Sequence, residues 1–292
     1  MSVTVGRMPS LSTLLRLGRI SNIPTVWTNV LAGSVIAGGG RHPDRIALIL
    51  IAMTAFYVGG MYLNDFFDRA IDAQDRPGRP IDAGEIRAGT VSSIGFGLLA
   101  TGIALMTPFS LAATIWGALL ASVIVLYDVW HKGNALSPVV MGSCRALVYV
   151  GTGAALAGSI STATMIGAVA LGSHVAGITY AAKRESLDRV GNLWPLALLA
   201  VPLLAALPAI SSDWIVITAF LLLLAADAVA IRLLATRPVP GAVPLAVSGL
   251  IAAICLVDAL AVALAGGGVL LVAICALGYP LTRLFQRSIP GT

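Results

Sequence analysis

The apolar positions of this chain run in long blocks, without the stripe of an amphipathic helix or the alternation of a half-buried strand. Ten blocks are read, at 20–38, 45–64, 90–107, 109–127, 135–158, 161–181, 193–209, 212–235, 242–265 and 267–286. Each is close to the roughly 20 residues a helix needs to cross the hydrocarbon of a bilayer. The shortest, 193–209, is interrupted by Pro195, Pro202 and Pro208, which break helical hydrogen bonding. Most links between blocks are short. Two are longer and charged, at 65–89 and 182–192. The pattern predicts an all-α, polytopic membrane bundle of nine to ten transmembrane helices, forming one domain over 1–292.

Composition agrees. Of the 292 residues, 58% are hydrophobic and 11% charged, and the mean hydropathy is +0.94. These values exclude a soluble globular enzyme and a disordered chain. The net charge of +5 would point to nucleic acid in a soluble protein. Here the distribution gives another reading. With ten crossings, fifteen of the eighteen Lys and Arg residues fall on the N-terminal side, while Arg41 and Arg45 fall on the other and Arg145 lies inside a block. The positive-inside rule makes the basic side cytoplasmic. The expectation is an integral protein of the cell (inner) membrane with both termini cytoplasmic, surrounded by lipid and binding no nucleic acid. The three cysteines lie in apolar blocks without metal-ligand spacing and read as small buried side chains.

Candidate chemistry concentrates in the two charged loops. In the first, Asn64, Asp68 and Asp72 are spaced by four, which places three oxygen-bearing side chains on one face if the preceding helix continues. Such a row at a membrane boundary repels itself unless a cation sits among its members. Hard oxygens with room for water and substrate phosphates suit Mg²⁺, and Asp65 lies beside the row. Arg76 and Arg79 follow, with planar forks suited to phosphate oxygens. Pro77, Gly78 and Pro80 impose a turn there. In the second loop, Glu185 and Asp188 share a face if helical, and Lys183 and Arg184 precede them. After the fourth block, Lys132 can reach the same side. Asp128 and His131 are available there as ligands, although a lone histidine at a membrane interface is more often a hydrogen-bonding residue. Polar and ionisable groups within spans are costly and often functional: Arg19 and Asn22 at the first block and Arg145 in the fifth are the candidates for an acceptor pocket. His174, Asp227 and Asp258 also lie in blocks, and the two aspartates read as structural partners inside the bundle.

The run Asn64-Asp65-x-x-Asp68-x-x-x-Asp72, followed by Arg79-Pro80 and Gly84, resembles the UbiA superfamily of intramembrane prenyltransferases. The phrases Ile20–Asn29 and Cys144–Tyr149 look most like its EboC-type branch. The resemblance implies a helical bundle around a central cavity, with two aspartate-rich motifs binding Mg²⁺ and an isoprenyl diphosphate. It implies transfer of the isoprenyl group to an aromatic or other small acceptor. Carried over by position, Asn64, Asp68 and Asp72 form the first metal set, Arg79 contacts diphosphate, and Asp188 belongs to the second set with Glu185. Asp68, Asp72 and Asp188 are then the catalytic acids, and Arg76, Arg79, Lys132 and Lys183 the diphosphate-binding bases. The chain departs from the family in two places. Arg184 stands four residues before Asp188 where a second aspartate is usual, and His131 fills the slot of a lysine, which moves to Lys132. Competing readings are a terpene cyclase on the same site, a scaffold without turnover and a transporter. Acids clustered in loops, away from the mid-membrane, count against the transporter.

Overall fold

The computed structural model describes residues 9–38, 42–75, 78–183, 188, 192–210 and 213–291. Helices form at all ten predicted blocks. A short helix α1, Leu11–Leu17, comes first, capped by Ser10 accepting from the Thr13 N–H. Arg19 then adopts a left-handed backbone (φ 42°) and a 3-10 turn, Ile20–Asn22, leads into α2, Ile23–Ile36. The long helices follow: α3 (Pro43–Asp75), α4 (Ala88–Met106), α5 (Leu111–Trp130), α6 (Ser137–Ala157) and α7 (Thr162–Ala182). The proline-interrupted block becomes two 3-10 segments flanking a six-residue helix α8, Val201–Ala206. The bundle closes with α9 (Trp214–Thr236), α10 (Ala242–Leu264) and α11 (Val269–Phe285).

Seven of these helices among the described residues, α3 to α7, α9 and α10, are long and apolar enough to cross a membrane. The chain is an integral membrane protein. The other three blocks are shorter than the sequence predicts, for local reasons. Asn22 and the turn before it delay the start of α2, the prolines divide 194–209, and α11 has 17 residues with Pro280 inside it.

α10 is the central post, with 72% of its apolar stretch buried against 28% for each of α4, α5 and α9. It packs on α2, α7, α9 and α11. Large side chains such as Leu221, Leu222 and Val229 on α9 face outward, where lipid tails cover them. The neighbouring pair α6 and α7 approaches through small residues, as membrane helices commonly do. A Cβ on Gly142 would lie 2.3 Å from the carbonyl oxygen of Gly172, so no side chain fits. Gly142→Ala is expected to cost about 1–3 kcal/mol through overpacking, seen as a lowered Tm in detergent; an unchanged Tm would mean that the two backbones do not meet there.

The geometry of α3 positions the site. At 1.5 Å per residue its 33 residues span roughly 50 Å, well beyond the about 30 Å of hydrocarbon. Its C-terminal turns, which carry Asn64 to Asp72, therefore reach the end of the bundle as continuous helix.

Candidate active site

The helical spacing is realised. Asn64, Asp68 and Asp72 are all buried, and all line one cavity of about 780 Å³. Asp65, one residue off this row, turns away from it. Its Oδ1 takes Arg79 Nη1 at 2.6 Å and Arg19 Nη2 at 3.4 Å. Arg79 arrives there through the turn that follows α3. The Arg79 carbonyl accepts from the Ala83 N–H, and the Pro80 carbonyl accepts from the Glu85 N–H. Gly84 supplies the left-handed residue (φ 72°) between them. Glu85 pins this turn to α1, accepting from Arg16 and from the Thr13 hydroxyl at 2.6 Å. These two bonds, Arg16's first, hold the Glu85 carboxyl below its ordinary range. From this anchored turn Arg79 also reaches Asp72, with Nε 3.9 Å from Oδ2.

The opposite wall is the end of α5 and the link after it. His131 Nε2 and Lys132 Nζ both approach Asp68 Oδ2, at 3.4 and 3.3 Å. His131 is held by stacking on Tyr127, with ring centroids 4.7 Å apart, and by its Nδ1 against the Tyr127 carbonyl. The lysine displaced by one position relative to the family pattern thus still meets the first motif. Lys183, at the end of α7, lines the same cavity and donates to the Asn134 carbonyl. Asp128, on α5, is buried at 4% exposure. Its Oδ1 accepts from Asn64 Nδ2 at 3.3 Å, and its Oδ2 has no partner.

Further in, the cavity is bounded by apolar side chains, among them Val26, Met53, Phe56, Leu120, Ile124 and Ile254. Three polar candidates sit along it. Arg19 lies at the carboxylate end, donating to Asn64 Oδ1 at 3.1 Å. Asn22 is tied to the chain's last described residues, donating to the Gly291 carbonyl and accepting from Gln286. Arg145 stacks over Tyr57, its Cζ 5.4 Å from the ring centroid, and donates to Asn29 Oδ1 and Thr25 Oγ1.

Asp188 is not brought to this cavity. Its two carboxylate oxygens accept from the Gly241 and Val243 N–H groups, both at 2.9 Å, at the start of α10. A helix N-terminus presents unpaired donors and partial positive charge, and a carboxylate satisfies both. The Val243 and Gly241 bonds hold the Asp188 carboxyl below its ordinary range. A depressed native value contributes stability that is complete above the unfolded value of about 3.9 and disappears as pH falls through the native one. Asp188→Ala should therefore lower the Tm at neutral pH, and the gap from wild type should close on acidification. A gap that persists at the lowest pH would show that the carboxylate is not its source. Arg76 and Glu185 lie outside the described residues.

The donor set suits a hard divalent cation. Among the described residues no three His, Cys, Asp or Glu side chains close around one point. The oxygen donors along the cavity are Asn64, Asp68, Asp72 and Asp128, and an open Mg²⁺ site completes its shell with water and substrate oxygens. The orphaned oxygen of Asp128 is a buried acceptor of the kind such an ion satisfies.

Fold and site define the class: a polytopic helical membrane protein whose cavity has a carboxylate and guanidinium cluster at one end and hydrocarbon beyond it. The chain belongs to the UbiA prenyltransferase family, whose family model matches residues 25–242. Among curated relatives, digeranylgeranylglyceryl phosphate synthase of Natronomonas pharaonis is 30% identical over 162 residues, covering 54% of this chain and 57% of its own. The synthase of the same name from Methanopyrus kandleri is 28% identical over 136 residues, covering 44% and 49%. Protoheme IX farnesyltransferase of Exiguobacterium sibiricum is 26% identical over 153 residues, covering 48% and 49%. The chain thus spans about half the length of the curated relatives it matches. Among solved structures, one of digeranylgeranylglyceryl phosphate synthase aligns with a TM-score of 0.63 at 20% identity, over 87% of this chain and 98% of that one. A UbiA homologue from Archaeoglobus fulgidus, bound to GPP and Mg²⁺, aligns with a TM-score of 0.61 at 12% identity, over 87% and 99%. At these identities the likeness establishes the fold.

Proposed function

We propose that this protein is a Mg²⁺-dependent intramembrane prenyltransferase, moving an isoprenyl group from an isoprenyl diphosphate to an aromatic or other small acceptor. The observation that carries the reading is the cavity itself, in which a row of oxygen donors faces basic side chains at one end and an apolar channel leads away from them. The GPP and DMAPP bound with Mg²⁺ in the Archaeoglobus homologue fit a donor of this type. The whole chain acts as one domain. The three shorter blocks complete nine to ten crossings, and the basic end lies in the cytoplasm of a cell-membrane protein, as the charge asymmetry indicates.

In the reaction the allylic C–O bond breaks and its electron pair leaves with the diphosphate. The acceptor's nucleophile supplies the pair for the new bond at the allylic carbon, and the acceptor loses a proton. Asn64, Asp68 and Asp72 would hold Mg²⁺, which would supply positive charge against the diphosphate. Arg79, Lys132 and Lys183 offer donors to its oxygens where negative charge accumulates. The Met53, Phe56 and Ile254 walls take the isoprenyl tail and keep water from the developing cation. Asn22, Arg145 and Arg19 line the way to the acceptor. The test is pyrophosphate release by purified protein with geranyl and longer diphosphates, with and without Mg²⁺ and a panel of aromatic acceptors. Release that needs both Mg²⁺ and an acceptor supports the reading. Release without an acceptor points to cyclisation or water capture, and no release with any donor and acceptor of the panel counts against transfer.

A further inference from the structure

We infer that Asp128 is a direct ligand of the divalent cation, an oxygen donor contributed by α5 that stands outside both aspartate-rich motifs. The inference rests on the Mg²⁺-dependent reading above and adds a residue that motif spacing does not single out. Four carboxylates gather at this end of the cavity. Three of them already face bases: Asp65 faces Arg79 and Arg19, Asp68 faces Lys132 and His131, and Asp72 faces Arg79. Asp128 differs. Its Oδ1 accepts one hydrogen bond, from Asn64 at 3.3 Å, and Oδ2 is buried without a donor.

A purely structural Asp128 is hard to justify. A buried carboxyl oxygen left without a partner carries its full desolvation penalty. An apolar residue at this position of α5 would avoid it. A cation removes the penalty, and the surroundings are prepared for one. Asn64, itself in the first motif, bridges the two helices: its amide donates to Asp128 while its oxygen faces Arg19. Asp128 and Asp68 line the same cavity from α5 and α3. Hard oxygen donors from two helices, with space between for water and phosphate oxygens, are what an open Mg²⁺ site requires.

The experiment is Mn²⁺ binding to the full-length purified protein, followed by electron paramagnetic resonance with geranyl diphosphate present. Wild type and Asp128→Asn are compared, and Asp128→Ser replaces the amide variant if the latter does not fold. Loss of the carboxylate should weaken Mn²⁺ binding about 10- to 100-fold. In ¹⁷O-enriched water the Mn²⁺ line broadening should show one additional bound water, because solvent fills the vacated position. Unchanged affinity overturns the assignment. Weakened affinity with an unchanged water count also overturns it, since Asp128 would then act only by orienting Asn64. If wild type itself binds no Mn²⁺, the Mg²⁺-dependent reading fails, a result distinct from a wild type that binds and a variant that binds equally well.

Discussion

An Asp68→Asn protein is expected to fold and to lose pyrophosphate release by two to three orders of magnitude, the scale seen when one preorganised electrostatic stabiliser is removed from an active site. The amide keeps the volume and one oxygen of the carboxylate but none of its charge. Asp68 is the carboxylate on which Lys132 and His131 converge, so on the proposed function its charge would serve two purposes: to hold the cation, and to keep two bases at the end of the cavity proposed to take the diphosphate. Folding should survive because Lys132 is about half exposed (46%) and its freed charge is screened by water. The Tm should therefore move little while kcat collapses, and raising Mg²⁺ should recover part of the loss if the metal is bound more weakly. Turnover within a few-fold of wild type would show that Asp68 neither holds the ion nor organises the bases.

Asp68 was legible in the sequence because the evidence for it is periodic. An oxygen side chain at every fourth residue has one meaning on a helix, and α3 continues through 75 without a break. Arg79 was legible for a similar local reason, since Pro80 and Gly84 prescribe the turn that returns it to the acids. Asp128 is readable from the sequence only as an available ligand near Lys132, with no periodic signal to single it out. Its place in the site depends on α5 ending opposite the last turns of α3, a spatial pairing that spacing along the chain does not encode. Asp188 shows the converse. Its residue type and loop fit a metal ligand, but the donors it meets belong to a helix that begins more than fifty residues later, and it adopts a left-handed backbone (φ 48°) to meet them. Hydropathy located the helical segments well and their lengths less well. Block averages do not register where a turn at Arg19 or a proline at 195, 202 or 208 ends regular hydrogen bonding.

Asp258 was expected to be a structural partner within the bundle, and the network around it leads to the second large prediction. It is fully buried on α10. Its carboxylate accepts from Thr28 at 2.5 Å, from Tyr149 at 2.7 Å, and from the Asn29 amide at 2.8 Å to both oxygens. Asn29 in turn presents its own oxygen to Arg145 at 2.8 Å. Three helices, α2, α6 and α10, are thus joined by one polar chain whose negative end is Asp258 and whose positive end, Arg145, lines the cavity. Asp258→Ala would leave the Tyr149 and Asn29 donors without an acceptor, would leave the Thr28 hydroxyl only the Thr25 carbonyl at 3.3 Å, and would remove the negative end of the chain that leads to the Arg145 guanidinium. The expected loss is about 2–5 kcal/mol, from the buried donors left without an acceptor at about 1–3 kcal/mol each, measured as unfolding in detergent. A loss below about 1 kcal/mol would mean that water or another acceptor replaces the carboxylate. The counterpart test is Arg145→Met in the same background. If the damage from Asp258→Ala is largely the stranded charge, the double variant should be more stable than the single one, with a coupling of 0.5–3 kcal/mol as contacting networks show. If it is instead the cavity and the orphaned hydroxyls, the second substitution should bring no recovery, and Arg145 would then owe its position to Thr25 and Tyr57 rather than to Asp258.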